Sequence, residues 1–165
     1  MADKTTSAFI RPDWVPTVAS GMRILVVGAS GGIGGAVCSM LAAGSECMIG
    51  AHGGTAAPDP EKFFKGGAGR ATIIPLQRRF ETEDDCAALV EEFCARAGGI
   101  DALVHLSGAL SFSGHWEEMP ADAWRRDMEI NLNQPFFLAR PELPLEHRKG
   151  GLLAHCFTPE EQTHR

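Results

Sequence analysis

A glycine-rich turn at residues 27–34 is the part of the sequence best suited to binding a ligand. It reads Val-Gly-Ala-Ser-Gly-Gly-Ile-Gly and lies between an apolar run typical of a buried strand and a segment with helical spacing. Gly28 would let the chain turn sharply, Gly32 would let a pyrophosphate approach the backbone, and Gly34 would let the helix pack closely on the sheet. A tight turn without a ligand is the alternative. Free N–H groups at a helix N-terminus attract phosphate, so the turn predicts a dinucleotide site formed by Gly28, Ser30, Gly31, Gly32, Ile33 and Gly34.

Apolar runs and helical patterns alternate along the chain. Five short apolar runs are typical of strands buried in a parallel sheet: 23–27, 47–49, 71–76, 100–106 and 152–157. Helical patterns follow the glycine turn, Thr82 and Pro120, and a loop rich in Gly and Pro covers 53–70. Pro135, Pro141 and Pro144 predict a kink or break in the later part of the last helix. This order predicts an α/β fold, a doubly wound, Rossmann-like parallel sheet of five strands.

Composition and charge argue against several classes of partner. The net charge of −6 repels nucleic acid and anionic lipid surfaces, so neither is an expected partner. The five cysteines and six histidines are dispersed, which predicts buried free thiols and no metal site. No apolar run approaches the ~20 residues of a membrane span and no targeting segment is evident, which favours a cytoplasmic protein. We expect a flexible arm at 1–20, one domain at 21–157 and a polar tail at 158–165.

Two further segments accompany the glycine turn in the order of a known family. Residues 101–108 read Asp-Ala-Leu-Val-His-Leu-Ser-Gly, and 129–132 read Glu-Ile-Asn-Leu, followed by Phe136. Together with the G-x-x-x-G-x-G spacing of the turn, they resemble the short-chain dehydrogenase/reductase family over roughly residues 22–157. The resemblance implies NAD(P)-dependent hydride transfer to or from a carbonyl or alcohol. It also implies that Ser107 and Gly108 lie at the cofactor.

The end of the second strand bears on the choice between NAD and NADP. A carboxylate there usually accepts from the ribose 2′-OH, and the segment 50–54 contains none, which favours NADP over NAD. Ser30 and His52 are candidates to bind a 2′-phosphate, although His52 is equally consistent with an exposed loop residue. Arg79 falls where the family usually has an Asp against the adenine, and it either contacts the nucleotide or belongs to a solvated loop.

The family's acid/base residues are a Tyr and a Lys, assisted by a Ser and by a helix Asn. By resemblance Asn131 is the helix Asn and Thr158 the hydroxyl residue, but the sequence contains no tyrosine. The sequence therefore predicts a chain that is truncated before the Tyr and Lys and inactive alone. An exposed edge at the fifth strand would favour pairing with a second copy or with a completing chain. The alternatives are a non-catalytic nucleotide-binding or interaction module and a non-functional truncation.

Overall fold

The structure, a computed structural model, describes residues 18–64 and 70–140, together with the backbone of residues 152–155. Most of the expected arm at 1–20 and all of the tail at 158–165 lie outside these residues. The described residues include five strands: β1 (Arg23–Val27), β2 (Met48–Gly53), β3 (Thr72–Gln77), β4 (Ala102–His105) and β5 (Leu152–His155). Between residues 18 and 140, the part described apart from 65–69 has four α-helices: α1 (Gly32–Gly44), α2 (Glu83–Ala97), α3 (Ala121–Met128) and α4 (Gln134–Ala139). A π-helical turn at Glu129–Asn133 joins α3 to α4, and short 3-10 turns lie at Pro60–Phe63 and Trp116–Glu118.

The strands form one parallel sheet in the order β3-β2-β1-β4-β5. The chain runs outward from β1 to β3, then returns to the other side of β1 to form β4 and β5. The order therefore reverses beside β1, and the crevice at the carboxyl ends of β1 and β4 is the place where such sheets bind ligands. The predicted doubly wound sheet of five strands is confirmed.

The sheet is covered on both faces. On one face, Leu25 and Val27 of β1 pack with Leu89 and Phe93 of α2. On the other face, Ile24 and Val26 belong to a second cluster, which α1 completes with Cys38 and Ala42. Because β1 is buried on both faces, its sequence is a continuous apolar run rather than an alternating one.

Two helix predictions have different outcomes. The helix predicted after Thr82 is confirmed: Thr82 is its N-cap, Asp85 accepts from the Thr82 N–H at 2.9 Å, and Gly98 ends it in the left-handed conformation at φ 79°. The break predicted at Pro135 does not occur, because helical structure continues from residue 121 to 139, whereas Pro141 and Pro144 lie outside the described residues. The π turn ends at Asn133, and Pro135 is the second residue of α4, so it lies in the first turn after the hydrogen-bond pattern changes, where proline is tolerated.

The cysteines test the expectation of buried free thiols. Four described cysteines carry free thiols, of which Cys38, Cys47 and Cys86 are buried, as predicted; Cys156 lies outside the described residues. Burial raises the pKa of Cys38 to about 12, so this thiol is neutral at physiological pH.

Within the described residues, every helix is too short or too polar to cross a membrane.

Candidate functional site

The glycine turn begins where β1 ends and is tied to the neighbouring strand. Gly28 has a φ of +89°, which only glycine adopts readily, so the chain leaves the strand sharply there. The Ala29 N–H donates to the His52 carbonyl at 2.8 Å, and the Gly31 N–H donates to the Gly28 carbonyl at 3.1 Å. These bonds fix the turn against the carboxyl end of β2.

The start of α1 is open towards the crevice. A Cβ built on Gly32 meets no atom within 4 Å, whereas a Cβ on Gly34 would overlap the carbonyl oxygen of Gly28. Gly31 caps the helix without a side-chain hydrogen bond, and the first turn holds no acidic residue. The first N–H groups of α1 and the positive end of its dipole therefore face space that an anion can enter. The strand-turn-helix junction is present as predicted, and the binding of a dinucleotide by Gly28, Ser30, Gly31, Gly32, Ile33 and Gly34 stays a prediction.

A second segment reaches the turn from β4. We call residues 106–111, which follow β4, the strap. The Leu106 N–H donates to the Val27 carbonyl at 2.8 Å, which continues the pairing of β4 with β1. The strap then passes so close to Gly28 that a Cβ on this glycine would lie 2.8 Å from the Ser107 nitrogen and 2.9 Å from its Oγ. The fold thus brings Ser107 to the glycine turn, with the exposed Gly108 next to it.

The π turn and the end of α3 hold the far part of the strap. The Asn131 side chain accepts from the Ala109 N–H at 3.1 Å and donates to the Ala109 carbonyl at 2.8 Å. One turn earlier, Asp127 accepts from the Ser111 N–H at 2.9 and 3.2 Å and is only 8% exposed. Asn131 is therefore engaged with the backbone at both ends of its amide, while Thr158 lies outside the described residues. The sequence offered no signal for Asp127, because its partner is a backbone N–H in a loop.

His52 corrects an expectation. It is a residue of β2, paired with Val27, and its ring is only 2% exposed, so the idea of an exposed loop residue is wrong. The ring stacks on Phe80 at 4.9 Å, and Nε2 donates to the Arg78 carbonyl at 2.8 Å. The Nδ1 atom has no hydrogen-bond partner among the described residues, and burial lowers the pKa of His52. In this conformation the ring presents no nitrogen to an incoming phosphate, because the sheet and Phe80 enclose it.

The two arginines after β3 differ in their surroundings. Arg78 is half-buried and lies 3.4 Å from Glu92 and 3.9 Å from Asp85, so its charge is already balanced. Arg79 is exposed at the same edge of the sheet as the glycine turn, and Ser30 is exposed within the turn. Of the residues expected to contact the adenosine end of a cofactor, Arg79 and Ser30 are therefore accessible and His52 is not. Within the described ranges, no three His, Cys, Asp or Glu side chains gather as a metal would require.

Comparison with known proteins identifies the family. The sequence profile described as short chain dehydrogenase matches residues 22–155. Nodulation protein G of Rhizobium sp. (strain N33) is 32% identical over 134 residues, which are 80% of this chain and 52% of that protein. The D-beta-hydroxybutyrate dehydrogenase of Rhizobium meliloti (strain 1021) is 27% identical, with 76% of this chain and 49% of that protein covered. The chain belongs to the short-chain dehydrogenase/reductase family.

Solved structures agree with this assignment. The crystal structure of the NADH-dependent reductase A1-R′ complexed with NAD has a TM-score of 0.61 and 26% identity, over 73% of this chain and 50% of that one. A short chain dehydrogenase from Mycobacterium thermoresistibile has a TM-score of 0.69 at 22% identity, over 85% of this chain and 52% of that one, and supports the fold. The chain spans about half the length of the curated relatives that it matches.

Proposed function

We propose that this chain binds a nicotinamide dinucleotide at the carboxyl edge of its sheet and is the nucleotide-binding part of a dehydrogenase or reductase. One observation carries the proposal: Gly32 lies in open space at a helix N-terminus that makes no side-chain capping hydrogen bond. The residues fit the group, because the amides of α1 attract a pyrophosphate and no side chain of the described residues lies within 4 Å of a Cβ on Gly32. The bound NAD in the NADH-dependent reductase A1-R′, a protein with the same fold, supports the same cofactor class here.

Each part of the site has a distinct task in this proposal. The turn from Gly28 to Gly34 holds the pyrophosphate, and the strap, with Ser107 and Gly108, forms the wall beside it. Asn131 fixes the strap through Ala109 and acts as a positioning residue. A nicotinamide dinucleotide, when bound, supplies or accepts the hydride for a carbonyl or alcohol.

The finer proposal is a preference for NADP over NAD. The segment 50–54 at the end of β2 has no carboxylate that would repel a 2′-phosphate. The exposed Arg79 and Ser30 supply a cation and a hydroxyl at the same edge of the sheet. A 2′-phosphate adds a charge that a nearby guanidinium binds through charge-assisted hydrogen bonds.

Turnover is a separate matter from binding. The 165 residues contain no tyrosine, so the phenol that the family uses as its acid/base is not supplied by this sequence. We therefore expect these residues alone to bind the dinucleotide without reducing a carbonyl. A second candidate function, a nucleotide-binding module without catalysis, rests on the same observation.

We call the proposed pyrophosphate site, the turn from Gly28 to Gly34, the cradle. The experiment introduces a negative charge into it. Gly32→Asp adds a carboxylate where the pyrophosphate would lie, and the open space there lets the variant keep the native fold. Ala95→Asp, on the exposed surface of α2, adds the same charge away from the turn. We expect Gly32→Asp to abolish NADH and NADPH binding, followed by nicotinamide fluorescence, while Ala95→Asp binds as the unmodified chain does. Unchanged binding by a folded Gly32→Asp chain would refute the cradle.

A further inference from the structure

Asp127 is a buried carboxylate that no part of the proposed site has yet used. Both of its oxygens accept from the N–H of Ser111, at 2.9 and 3.2 Å. Its side chain lies at the end of α3, one helical turn before Asn131. Burial of a carboxylate is unfavourable unless hydrogen bonds compensate. Asp127 is therefore not an ordinary solvent-exposed residue of the helix surface.

The helix and the strap match in their spacing. Asp127 and Asn131 are four residues apart, and they hold Ser111 and Ala109, which are two residues apart. Asp127, in the last turn of α3, and Asn131, in the π turn, therefore hold alternate residues of the strap. The Leu106 N–H bond to Val27 holds the near end of the strap and Asn131 holds its middle, so the bond from Ser111 to Asp127 is what fixes its far end.

The other end of the strap lies against the glycine turn. The Oγ of Ser107 lies 2.9 Å from the place where a Cβ on Gly28 would be. The Leu106 N–H donates a hydrogen bond to the Val27 carbonyl. A change in the direction of the strap would therefore move Ser107 relative to Gly28. Asp127 can affect the site in this way without contacting the ligand.

We propose that Asp127 is a positioning residue for the dinucleotide site: it fixes Ser111 and, through the strap, the wall beside Gly28. This inference rests on the proposed function. Asp127→Asn keeps an oxygen that accepts from Ser111, whereas Asp127→Leu has a similar size and no acceptor. Asp122, exposed on the same helix, supplies the matched control Asp122→Leu.

The first test is the dissociation constant of NADH by fluorescence titration, at a temperature where every variant is folded. We expect Asp127→Leu to raise it about tenfold, equivalent to ~1.4 kcal/mol. Asp127→Asn and Asp122→Leu should stay within about twofold, because the first keeps the acceptor and the second does not touch the strap. Equal affinity of the Leu and Asn variants at position 127 would overturn the proposal.

A second measurement uses the unmodified chain and does not depend on how the variants fold. Coupling is reciprocal, so NADH should in turn hold the strap. We expect saturating NADH to slow amide exchange at Ser111 at least about threefold more than at Gly98, which lies at the opposite end of the sheet. Equal slowing at both amides would overturn the role of Asp127. If the unmodified chain binds no NADH, the proposed function itself is wrong.

Discussion

A Cβ on Gly34 would overlap the carbonyl oxygen of Gly28, so the first turn of α1 lies in backbone contact with the end of β1. The same Cβ would lie 2.7 Å from the Gly28 carbonyl carbon and 2.8 Å from the Ala29 Cα. These are backbone atoms, which cannot move aside as a flexible side chain can. The close approach brings the amides of α1 to the crevice beside β1.

This contact predicts opposite effects at two neighbouring glycines. Gly34→Ala should lower the free energy of unfolding by about 1–3 kcal/mol, because the new methyl group has no room. Gly32→Ala should leave it unchanged or raise it by about 0.4–1 kcal/mol, because its Cβ enters open space and the unfolded chain loses freedom. Urea denaturation of both variants measures the difference. Equal stabilities would show that α1 does not lie as close to β1 as described.

The ion pair between Arg23 and Asp101 predicts that the loss of the Asp101 carboxylate lowers the free energy of unfolding more than the loss of the Glu46 carboxylate. Arg23 donates through Nε and a terminal nitrogen to Asp101 at 2.8 and 2.7 Å, and its backbone N–H donates at 2.8 Å, which links β1 to the start of β4. The hydrogen bond from Arg23 to Asp101 raises the pKa of Arg23. Asp101→Ala should destabilise the chain by about 1.5–3 kcal/mol, because three charge-assisted bonds are lost from a half-buried site.

The matched control is the pair Arg70–Glu46. Its side chains are 77% and 56% exposed, against 23% and 33% for Arg23 and Asp101. Glu46→Ala should change the free energy of unfolding by less than about 1 kcal/mol, since exposed ion pairs contribute little. Similar losses in the two variants, measured by urea denaturation, would contradict the described geometry.

Burial of His52 predicts a dependence of stability on pH. Desolvation lowers its pKa below the ordinary value of 6.5, so the unfolded chain takes up a proton that the folded chain resists. The stability contributed by neutral His52 is therefore complete above pH 6.5 and is lost as the pH falls through this value. The slope cannot exceed about 1.4 kcal/mol per pH unit for one proton.

The measurement compares the unmodified chain with His52→Gln between pH 7.5 and 5.5, by urea denaturation. Other groups titrate in both proteins and cancel in the difference. We expect the free energy of unfolding of the unmodified chain to fall more steeply with decreasing pH than that of the variant. Parallel curves would place the His52 ring in water rather than beneath Phe80.

The exposed Arg79 predicts a change in cofactor preference. Arg79→Glu should weaken NADPH binding about tenfold or more relative to NADH, because a carboxylate would face the 2′-phosphate. Arg126→Glu, at an exposed position of α3, makes the same charge change elsewhere and should leave the ratio of the two dissociation constants unaltered. If Arg79→Glu weakens NADH and NADPH equally, Arg79 does not recognise the 2′-phosphate.

The order of elements could be predicted from the sequence because its signals are local. The apolar run of β1, the glycine turn and the helical pattern after Thr82 each depend on residues that are close together in the chain, and the structure has the strand, the strand-turn-helix junction and the helix at these places. The end of β2 was predicted at residue 49 but extends to Gly53. Gly50 and Gly53 have little intrinsic preference for strand, and it is their pairing with β1 or β3 that places them in the sheet.

The site was predictable only where a motif carries its own geometry. The glycine spacing dictates a strand-turn-helix junction, so its open helix N-terminus follows from the sequence. His52 and Asp127 depend on partners far along the chain: Arg78 and Phe80 for the first, the Ser111 amide for the second. No spacing pattern encodes such contacts, because they arise only when separate elements pack together.

Titration of the unmodified chain with NADPH and NADH, followed by nicotinamide fluorescence and thermal unfolding, tests the central claim most directly. The account predicts saturable binding of both, tighter for NADPH, and a melting temperature that rises with ligand concentration as linkage requires. A chain that unfolds cooperatively but neither binds these nucleotides nor is stabilised by them would contradict the assignment of the glycine turn.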